Sequence, residues 1–456
     1  MTPKKSSPFP FRTMGRTLGG VSLSRRGLLS IAGLAGVSAA AAACGRGGPG
    51  DRNSNTIEVW TLQEQEQLEP LENAIARFND SYDGGDGEDV TVEAVPVNQD
   101  NYSDQLQVAM GTNNRPDIFF NWGGGSIRRY VEQDLLVDLT PYLEEDTAWR
   151  DSWLPSVLNA GQINGRYYGI PLRGMQPVLL FYNQTMFQEM GQQPPATYDD
   201  LVNLVNFFTG QGIQPVALAG LDAWTELMWL EYLVDRIGGA EVFQAIADGE
   251  EGAWGHPAIL QALQSIRELV DAGAFGTNFS SVAWTSGGAD TLFASGEAAM
   301  HLMGTWEYTN QLNDNPDFAR NDLAYANFPQ VSGGAGDPAA VVGNPTNYFS
   351  VTRSSNNVEA AVEFLRQQMS SDEYVGELIE AGDVPAVADL TERLQSAPNA
   401  EFAIAVYEMV QQAPTFTLSW DQALEPDVAE LMLDCLQEVF NGDRTPEEFV
   451  EELSNA

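Results

Sequence analysis

The sequence predicts an α/β protein, and two features of the chain support this fold class. Strand and helix patterns alternate along residues 56–120, and a second alternating set runs from residue 178 to the C-terminus. The chain has 456 residues, of which 43% are hydrophobic, and it contains 10 Trp, 14 Tyr and 21 Phe. This content can form a large core in two or three domains and excludes global disorder.

The first part of the chain has the pattern of a parallel, doubly wound sheet. Residues 56–60 (TIEVW), 90–95 (VTVEAV) and 117–120 (DIFF) are predicted strands, rich in β-branched and aromatic side chains. Between them, residues 68–78 and 102–110 place apolar side chains on one face of a helix. Regular alternation of strands and helices favours parallel strands that are buried on both faces.

The second part repeats this alternation. Residues 178–182 (VLLFY) and 298–303 (AAMHLM) are predicted buried strands. Helices are predicted from a cap at Thr197 to residue 208, over residues 257–272, and from a cap at Thr445. Each of these threonines is followed three residues later by an acidic side chain, which is the spacing of a capping box. No repeat or low-complexity linker separates the two parts, so we expect two closely joined units.

The N-terminus has the pattern of an export signal. Residues 1–43 carry six basic side chains and no acidic one, and residues 24–29 (SRRGLL) resemble a twin-arginine signal. Small residues before Cys44 resemble a lipoprotein cleavage site, although Ala41 stands where Leu is usual. We predict a signal peptide over 1–43, a lipid on Cys44 and a Gly-rich tether over 44–55. The alternative is ordinary signal cleavage in which Cys44 has no role.

The charge of the chain excludes several partners. The formal net charge is −42, and removal of the six positive charges in the signal would make it −48. Such a surface repels nucleic-acid phosphates and anionic lipids, so we expect no nucleic acid partner. Two His and two Cys are too few for a zinc site or a disulfide framework, and we expect no metal and no cofactor.

Catalytic motifs fit the sequence poorly. The Gly-rich turn at residues 121–126 (NWGGGS) could suggest a phosphate-binding loop, but such a loop needs a Lys and no Lys follows Lys5. A close loop between a strand and a helix explains these glycines better. We predict that His301, in an apolar strand, and Cys435, on an apolar helix face, are core residues. The other histidine, His256, is predicted to lie in a turn. We predict no catalytic residue. A glycosidase with two carboxylates stays open as an alternative, because 64 acidic side chains supply many pairs.

Several tryptophans at strand ends or in loops suggest sugar binding. An indole can stack on the apolar face of a sugar ring while neighbouring carboxylates and amides bond its hydroxyl groups. Core packing explains each Trp better when it is taken alone. The group as a whole favours a carbohydrate cleft, and its candidate members are Trp122, Trp224, Trp284, Trp306 and Trp420, with the polar neighbours Asn121, Glu307 and Asp421.

Six short motifs follow one another along the chain: IEVW (57–60), RPDIF (115–119), YGIP (168–171), FYN (181–183), FASGEAAM (293–300) and GTW (304–306). Their order and spacing resemble those of bacterial extracellular solute-binding proteins of the maltose-binding protein type, which serve sugar ABC importers. The resemblance covers residues 56–453.

This resemblance implies a two-lobed periplasmic-binding-protein-like fold of type II, with a ligand cleft between two α/β lobes that crossing strands join. The first lobe would comprise residues 56–170 and roughly 323–372. The second lobe would comprise residues 171–322 and roughly 373–456.

The resemblance also implies binding residues. Trp122, Trp306 and Trp420 match cleft aromatics of the family, and Trp224 is a looser match. By similarity, the candidate hydroxyl partners are Gln63, Glu64, Asn344 and Asn347, although a structured Pro-containing loop explains the two asparagines equally well. The segments at 121–125 and 419–424 resemble those of members that take up xylo-oligosaccharides, chitobiose or raffinose-like sugars.

The function that follows is an expectation. A monomeric lipoprotein at the extracellular face of the cell membrane, attached through its lipid only, would capture a di- or oligosaccharide and deliver it to ABC permease subunits without chemical change. The alternatives are a secreted glycoside hydrolase, a receptor of the same fold for a polyamine, glycerophosphodiester or metal, and a structural or adhesion protein.

Overall fold

The computed structural model describes residues 55–62, 65–84, 90–284 and 287–456. The chain divides into two units, residues 1–51 and 52–456, and every element below belongs to the second unit. The predicted signal peptide and Cys44, and the tether up to residue 54, lie outside the described residues.

The strands in these ranges lie in two mixed sheets and one short hairpin. In chain order they are β1 (Thr56–Leu62), β2 (Thr91–Val97), β3 (Ile118–Asn121), β4 (Gln162–Ile163), β5 (Arg166–Tyr167), β6 (Ile170–Pro171), β7 (Gln176–Asn183), β8 (Gln214–Ala217), β9 (Ala298–Gly304), β10 (Leu323–Ala326), β11 (Val341–Asn344), β12 (Tyr348–Val351) and β13 (Phe416–Leu418).

The α-helices cover these sheets. In chain order they are α1 (Gln65–Ser81), α2 (Gln99–Met110), α3 (Gly125–Glu132), α4 (Thr140–Glu145), α5 (Thr147–Asp151), α6 (Pro155–Ala160), α7 (Gln184–Glu189), α8 (Tyr198–Gln211), α9 (Ala223–Gly238), α10 (Ala240–Ala247), α11 (Pro257–Asp271), α12 (Ala289–Ala294), α13 (Trp306–Asp314), α14 (Pro316–Asn321), α15 (Val358–Gln368), α16 (Asp372–Glu380), α17 (Thr391–Leu394), α18 (Ala400–Gln412), α19 (Trp420–Ala423), α20 (Pro426–Asn441) and α21 (Pro446–Asn455).

Each of the two sheets is the centre of one lobe. The first has the order β2-β1-β3-β12-β6, and the second has the order β13-β11-β7-β9-β8 with β10 paired to β7. Strands β1, β2 and β3 are parallel, as predicted, whereas β12 joins β3 in the antiparallel direction. The two-lobed α/β fold is therefore confirmed, with sheets that are mixed because strands return from the other lobe.

The chain crosses between the sheets at short segments. One crossing joins β6 of the first sheet to β7 of the second, and another joins β11 back to β12. Two segments differ from the expected lobe boundaries. Strand β10 pairs with β7 of the second sheet, so residues 323–344 do not belong to the first lobe. Helix α16 is held to the first lobe by the ion pair between Arg77 and Glu377, whose closest atoms are 2.7 Å apart.

Local sequence signals account for the helix ends that were predicted. Thr197 and Thr445 each accept a hydrogen bond from a backbone N–H three residues on, and Asp200 and Glu448 complete the reciprocal bonds of two capping boxes. His301 and Cys435 are each 1% exposed, as expected of core residues. In the described part of the chain, no helix is both long and apolar enough to cross a membrane.

Candidate functional site

A cavity of about 480 Å³ is lined by elements of both sheets. The end of β1 and the β3 region contribute Leu62, Phe120 and Trp122, and the crossing segments with adjoining strand ends contribute Arg173, Gln176, Val178, Gly343, Asn344 and Asn347. The remaining wall, from helices and loops that follow strands of the second sheet, consists of Trp224, Met228, Trp284, Trp306, Asn310, Ser419, Asp421 and Gln422.

Trp122 follows β3 and is fixed by aromatic neighbours. Its half-buried ring meets the ring of Phe120 edge to face at 4.9 Å and that of Tyr102 at 6.0 Å. The glycines after it permit a close approach between the lobes, because a Cβ at Gly125 would overlap the carbonyl group of Leu424. This contact brings the loop that carries Trp122 against the end of α19.

Three further indoles form a cluster that we call the tryptophan triad: Trp224, Trp284 and Trp306. The ring centroids are 5.7 Å apart for the pair Trp224 and Trp284, 6.1 Å for Trp224 and Trp306, and 6.5 Å for Trp284 and Trp306. The backbone N–H of Trp284 donates a 2.7 Å hydrogen bond to Asp222 beside Trp224, which links the two loops. All three rings are half-buried, so the triad offers a continuous apolar wall to the cavity.

Polar groups supply the rest of the lining. The Oδ1 atoms of Asn344 and Asp421 are buried, and neither has a hydrogen-bond partner among the described residues. Each is a buried acceptor that neighbouring protein groups leave unsatisfied. Arg173 places its Nε 3.7 Å from the carboxylate of Asp383, so the charge of this cavity residue is balanced from behind.

The turn at α19 carries Asp421, the one carboxyl group that lines the cavity among the described residues. Desolvation raises the pKa of Asp421, while its Oδ2 accepts a 2.9 Å bond from Gln422. Behind the turn, Oε1 of Glu231 accepts bonds of 2.7 Å from Oγ of Ser419 and from the backbone N–H of Trp420. Burial, with the field of Asp421, raises the pKa of Glu231 to about 8.

Residues 64–373 match the family described as bacterial extracellular solute-binding protein, which is more than half of the chain. The chain belongs to this family. Within the described ranges, this solute-binding protein has no group of three or more His, Cys, Asp or Glu side chains that could hold a metal ion.

Individual relatives and structures agree with this membership. An ABC transporter extracellular-binding protein of Pyrococcus horikoshii is 26% identical over 301 residues, which are 62% of this chain and 65% of that protein. The diacetylchitobiose binding protein NgcE of Streptomyces coelicolor is 26% identical over 303 residues, or 62% of each chain. The match therefore spans just under two thirds of either relative. A solved chitin oligosaccharide binding protein has the same fold, with a TM-score of 0.76, 23% identity, and coverage of 88% of this chain and 97% of that one.

Seven of the predicted residues line the cavity of this solute-binding protein: Trp122, Trp224, Trp284, Trp306, Asn344, Asn347 and Asp421. They come from both lobes and from the crossing segment before β12. Gln63 and Glu64 lie outside the described residues.

Trp420 was wrongly predicted to face the cleft. Its ring is 1% exposed and stacks on Phe243 with the centroids 4.5 Å apart and the planes at 7°. Adjacent residues in a helix point in directions about 100° apart. In the turn of α19, Ser419, Asp421 and Gln422 line the cavity while the indole points into the core.

Asn121 and Glu307 are also absent from the cavity wall and are buried in the protein. Asn121 donates to Oγ of Ser350 at 2.9 Å and accepts from the backbone N–H of Gly123 at 3.0 Å, so it shapes the loop that carries Trp122. Glu307 is fully buried and accepts a 2.8 Å bond from Gln311. Both act as structural partners, because neither lines the cavity and both form hydrogen bonds with neighbouring protein groups.

Among the described residues, ten that line the cavity were not predicted from the sequence. Met228 and Asn310 lie four positions after Trp224 and Trp306 on their helices, so helical spacing could have found them. Ser419 and Gln422 flank the predicted Asp421. The others had no local signal, because the pairing of distant strands brings them to the cavity: Leu62, Phe120, Arg173, Gln176, Val178 and Gly343.

Proposed function

We propose that this solute-binding protein captures a di- or oligosaccharide in the cavity and delivers it to the permease of an ABC importer. The observation that carries the proposal is the meeting, in one cavity, of Trp122 from the first lobe and the tryptophan triad from the second. Aromatic faces of this kind stack on sugar rings, whose C–H groups are apolar.

The polar lining suits a ring of hydroxyl groups. Asn344 and Asp421 offer buried acceptors, and amide groups at Gln176, Asn310 and Gln422 can donate as well as accept. The volume of about 480 Å³ falls within the range of pockets that enclose small ligands. A short sugar would thus be held by stacking and oriented by hydrogen bonds.

The relatives support a short oligosaccharide as the ligand. Two of them are named as binding proteins for diacetylchitobiose and for chitin oligosaccharide. We propose diacetylchitobiose, a xylo-oligosaccharide or a raffinose-like sugar as the ligand class. Contacts to both lobes would favour the closed form, since a ligand shifts a conformational equilibrium by its difference in affinity for the two states.

The placement of the protein is part of the proposal. A signal peptide over residues 1–43 would export the chain, and a lipid on Cys44 would attach a monomer to the extracellular face of the membrane through the tether. The protein would bind its sugar without making or breaking a bond.

A thermal-shift panel tests this function. Diacetylchitobiose, xylotriose, raffinose and maltose are added separately, and a sugar that binds the native state raises the unfolding midpoint. The same shift should shrink in Trp306→Ala and persist in Trp149→Ala, which removes an indole of α5 outside the cavity. Chromatography of the incubated sugars should show no products. No shift with any sugar, or release of shorter sugars, would count against the proposal.

A further inference from the structure

The wall of the cavity at α19 is anchored from behind by one side chain. Glu231 lies on α9, is 1% exposed and does not line the cavity. Its Oε1 atom accepts both the hydroxyl of Ser419 and the backbone N–H of Trp420, each at 2.7 Å. A single carboxyl oxygen therefore fixes the start of the turn that presents Asp421 and Gln422.

The ring of Trp420 holds the same turn at a second point. It stacks on Phe243 of α10 and meets Trp254 edge to face at 6.2 Å. With the backbone of Trp420 bound to Glu231 and its ring bound in the core, the adjacent Asp421 is left to face the cavity. Its Oδ1 atom is buried and has no hydrogen-bond partner among the described residues.

The charges around Glu231 favour its neutral form. Burial is the main cause that raises the pKa of Glu231 to about 8, and the carboxyl group of Asp421 on α19 acts in the same direction, while the hydrogen bonds from Trp420 and Ser419 act against it. Beside it on α9, Asp235 pairs with Arg236, which also donates to the carbonyl of Ala340, and Tyr232 donates to a backbone carbonyl. A neutral carboxyl group can accept two hydrogen bonds without placing a second negative charge behind Asp421.

We propose that Glu231 is a positioning residue, whose carboxyl oxygen holds Ser419 and Trp420 so that Asp421 and Gln422 face the sugar. The statement about sugar rests on the proposed function, whereas the anchoring of the turn does not. Glu231→Gln keeps the accepting oxygen at the same place, and Glu231→Leu removes it while filling a similar volume.

Hydrogen exchange without sugar tests the anchoring. Exchange is followed by mass spectrometry in peptides that contain the amide of Trp420. Glu231→Leu should speed exchange there by about tenfold or more, because the N–H loses its partner, while Glu231→Gln should match the wild type. Equal protection in all three proteins would overturn the proposal, even if no sugar binds.

Sugar titration tests the consequence for the ligand. With diacetylchitobiose and xylotriose as probes, Glu231→Leu should weaken binding about tenfold and Glu231→Gln no more than about threefold. Wild-type affinity should fall as the pH rises from about 7 to about 9.5, since ionised Glu231 repels Asp421, and Glu231→Gln should remove this fall. Equal losses in both variants, or the same pH profile in the wild type and Glu231→Gln, would overturn the role. If no sugar binds the wild-type protein, the proposed function is overturned. The hydrogen-exchange experiment would still test whether Glu231 anchors the turn.

Discussion

The indole of Trp224, at the start of α9, lies 6.1 Å from that of Trp306, at the start of α13, with the ring planes at 57°. A third position supports this contact, because a Cβ at Gly304 would overlap the ring of Trp306. The Gly-Thr-Trp motif at the end of β9 therefore has a physical reason. Because Gly304 has no side chain, the indole of Trp306 can lie against the end of β9 and still reach the cavity.

This geometry predicts the effect of removing an indole. Trp306→Ala should weaken sugar binding by about 1–3 kcal/mol, if stacking here is comparable to aromatic stacking on other planar ligands. Trp224→Ala should cost a similar amount, and the double variant should cost less than the sum, because each single change already disturbs the neighbouring ring. Calorimetric titration with the sugar found in the panel measures all three. Affinity unchanged in Trp306→Ala would remove this residue from the site.

Trp420 gives the opposite prediction, since it is a core residue. Trp420→Ala should lower the free energy of unfolding by about 3–5 kcal/mol, the usual cost of deleting a large buried side chain. Trp420→Phe keeps the stack on Phe243 and should cost less. Chemical denaturation measures both variants, and sugar affinity in Trp420→Phe should stay near that of the wild type. A large loss of affinity with unchanged stability would place this ring in the cavity instead.

The contact between the loop that carries Trp122 and the end of α19 can be tested at a glycine. Gly125→Ala introduces a Cβ into the carbonyl group of Leu424, and it should lower the free energy of unfolding by about 1–3 kcal/mol. The matched control is Gly210→Ala near the end of α8, where a new Cβ meets nothing within 4 Å. This control should be neutral or up to about 1 kcal/mol more stable. Equal midpoints for the two variants in thermal unfolding would contradict the close approach.

Local patterns in the sequence predicted part of the strands and helices, and the four tryptophans that line the cavity. Helix periodicity and the caps at Thr197 and Thr445 depend on neighbouring residues, so they are visible without a fold. The direction of Trp420 was missed because α19 is a single short turn with no periodicity to read. Arg173 and Gln176 were missed because strand pairing across the two lobes brings them to the cavity, and no local pattern encodes that pairing.

A buried acid on α9 gives a prediction about pH. Glu226 is fully buried, neither of its carboxyl oxygens has a hydrogen-bond partner among the described residues, and desolvation raises its pKa from 4.5 to about 9. In the native state this group keeps its proton between these two pKa values, while in the unfolded chain it is ionised. Its contribution to stability is therefore complete below about pH 4.5 and is lost as the pH rises towards about 9.

Glu226→Gln stays neutral at every pH and should remove this dependence. The difference in unfolding free energy between the variant and the wild type should grow in favour of the variant by about 1 kcal/mol per pH unit between about pH 5 and about pH 9. The test depends on how this difference in unfolding free energy changes with pH. Burial of the uncharged amide in the variant changes the unfolding free energy by the same amount at every pH. Denaturant unfolding at several pH values measures it. A difference that stays constant across this window would show that the Glu226 carboxyl is ionised in the folded protein.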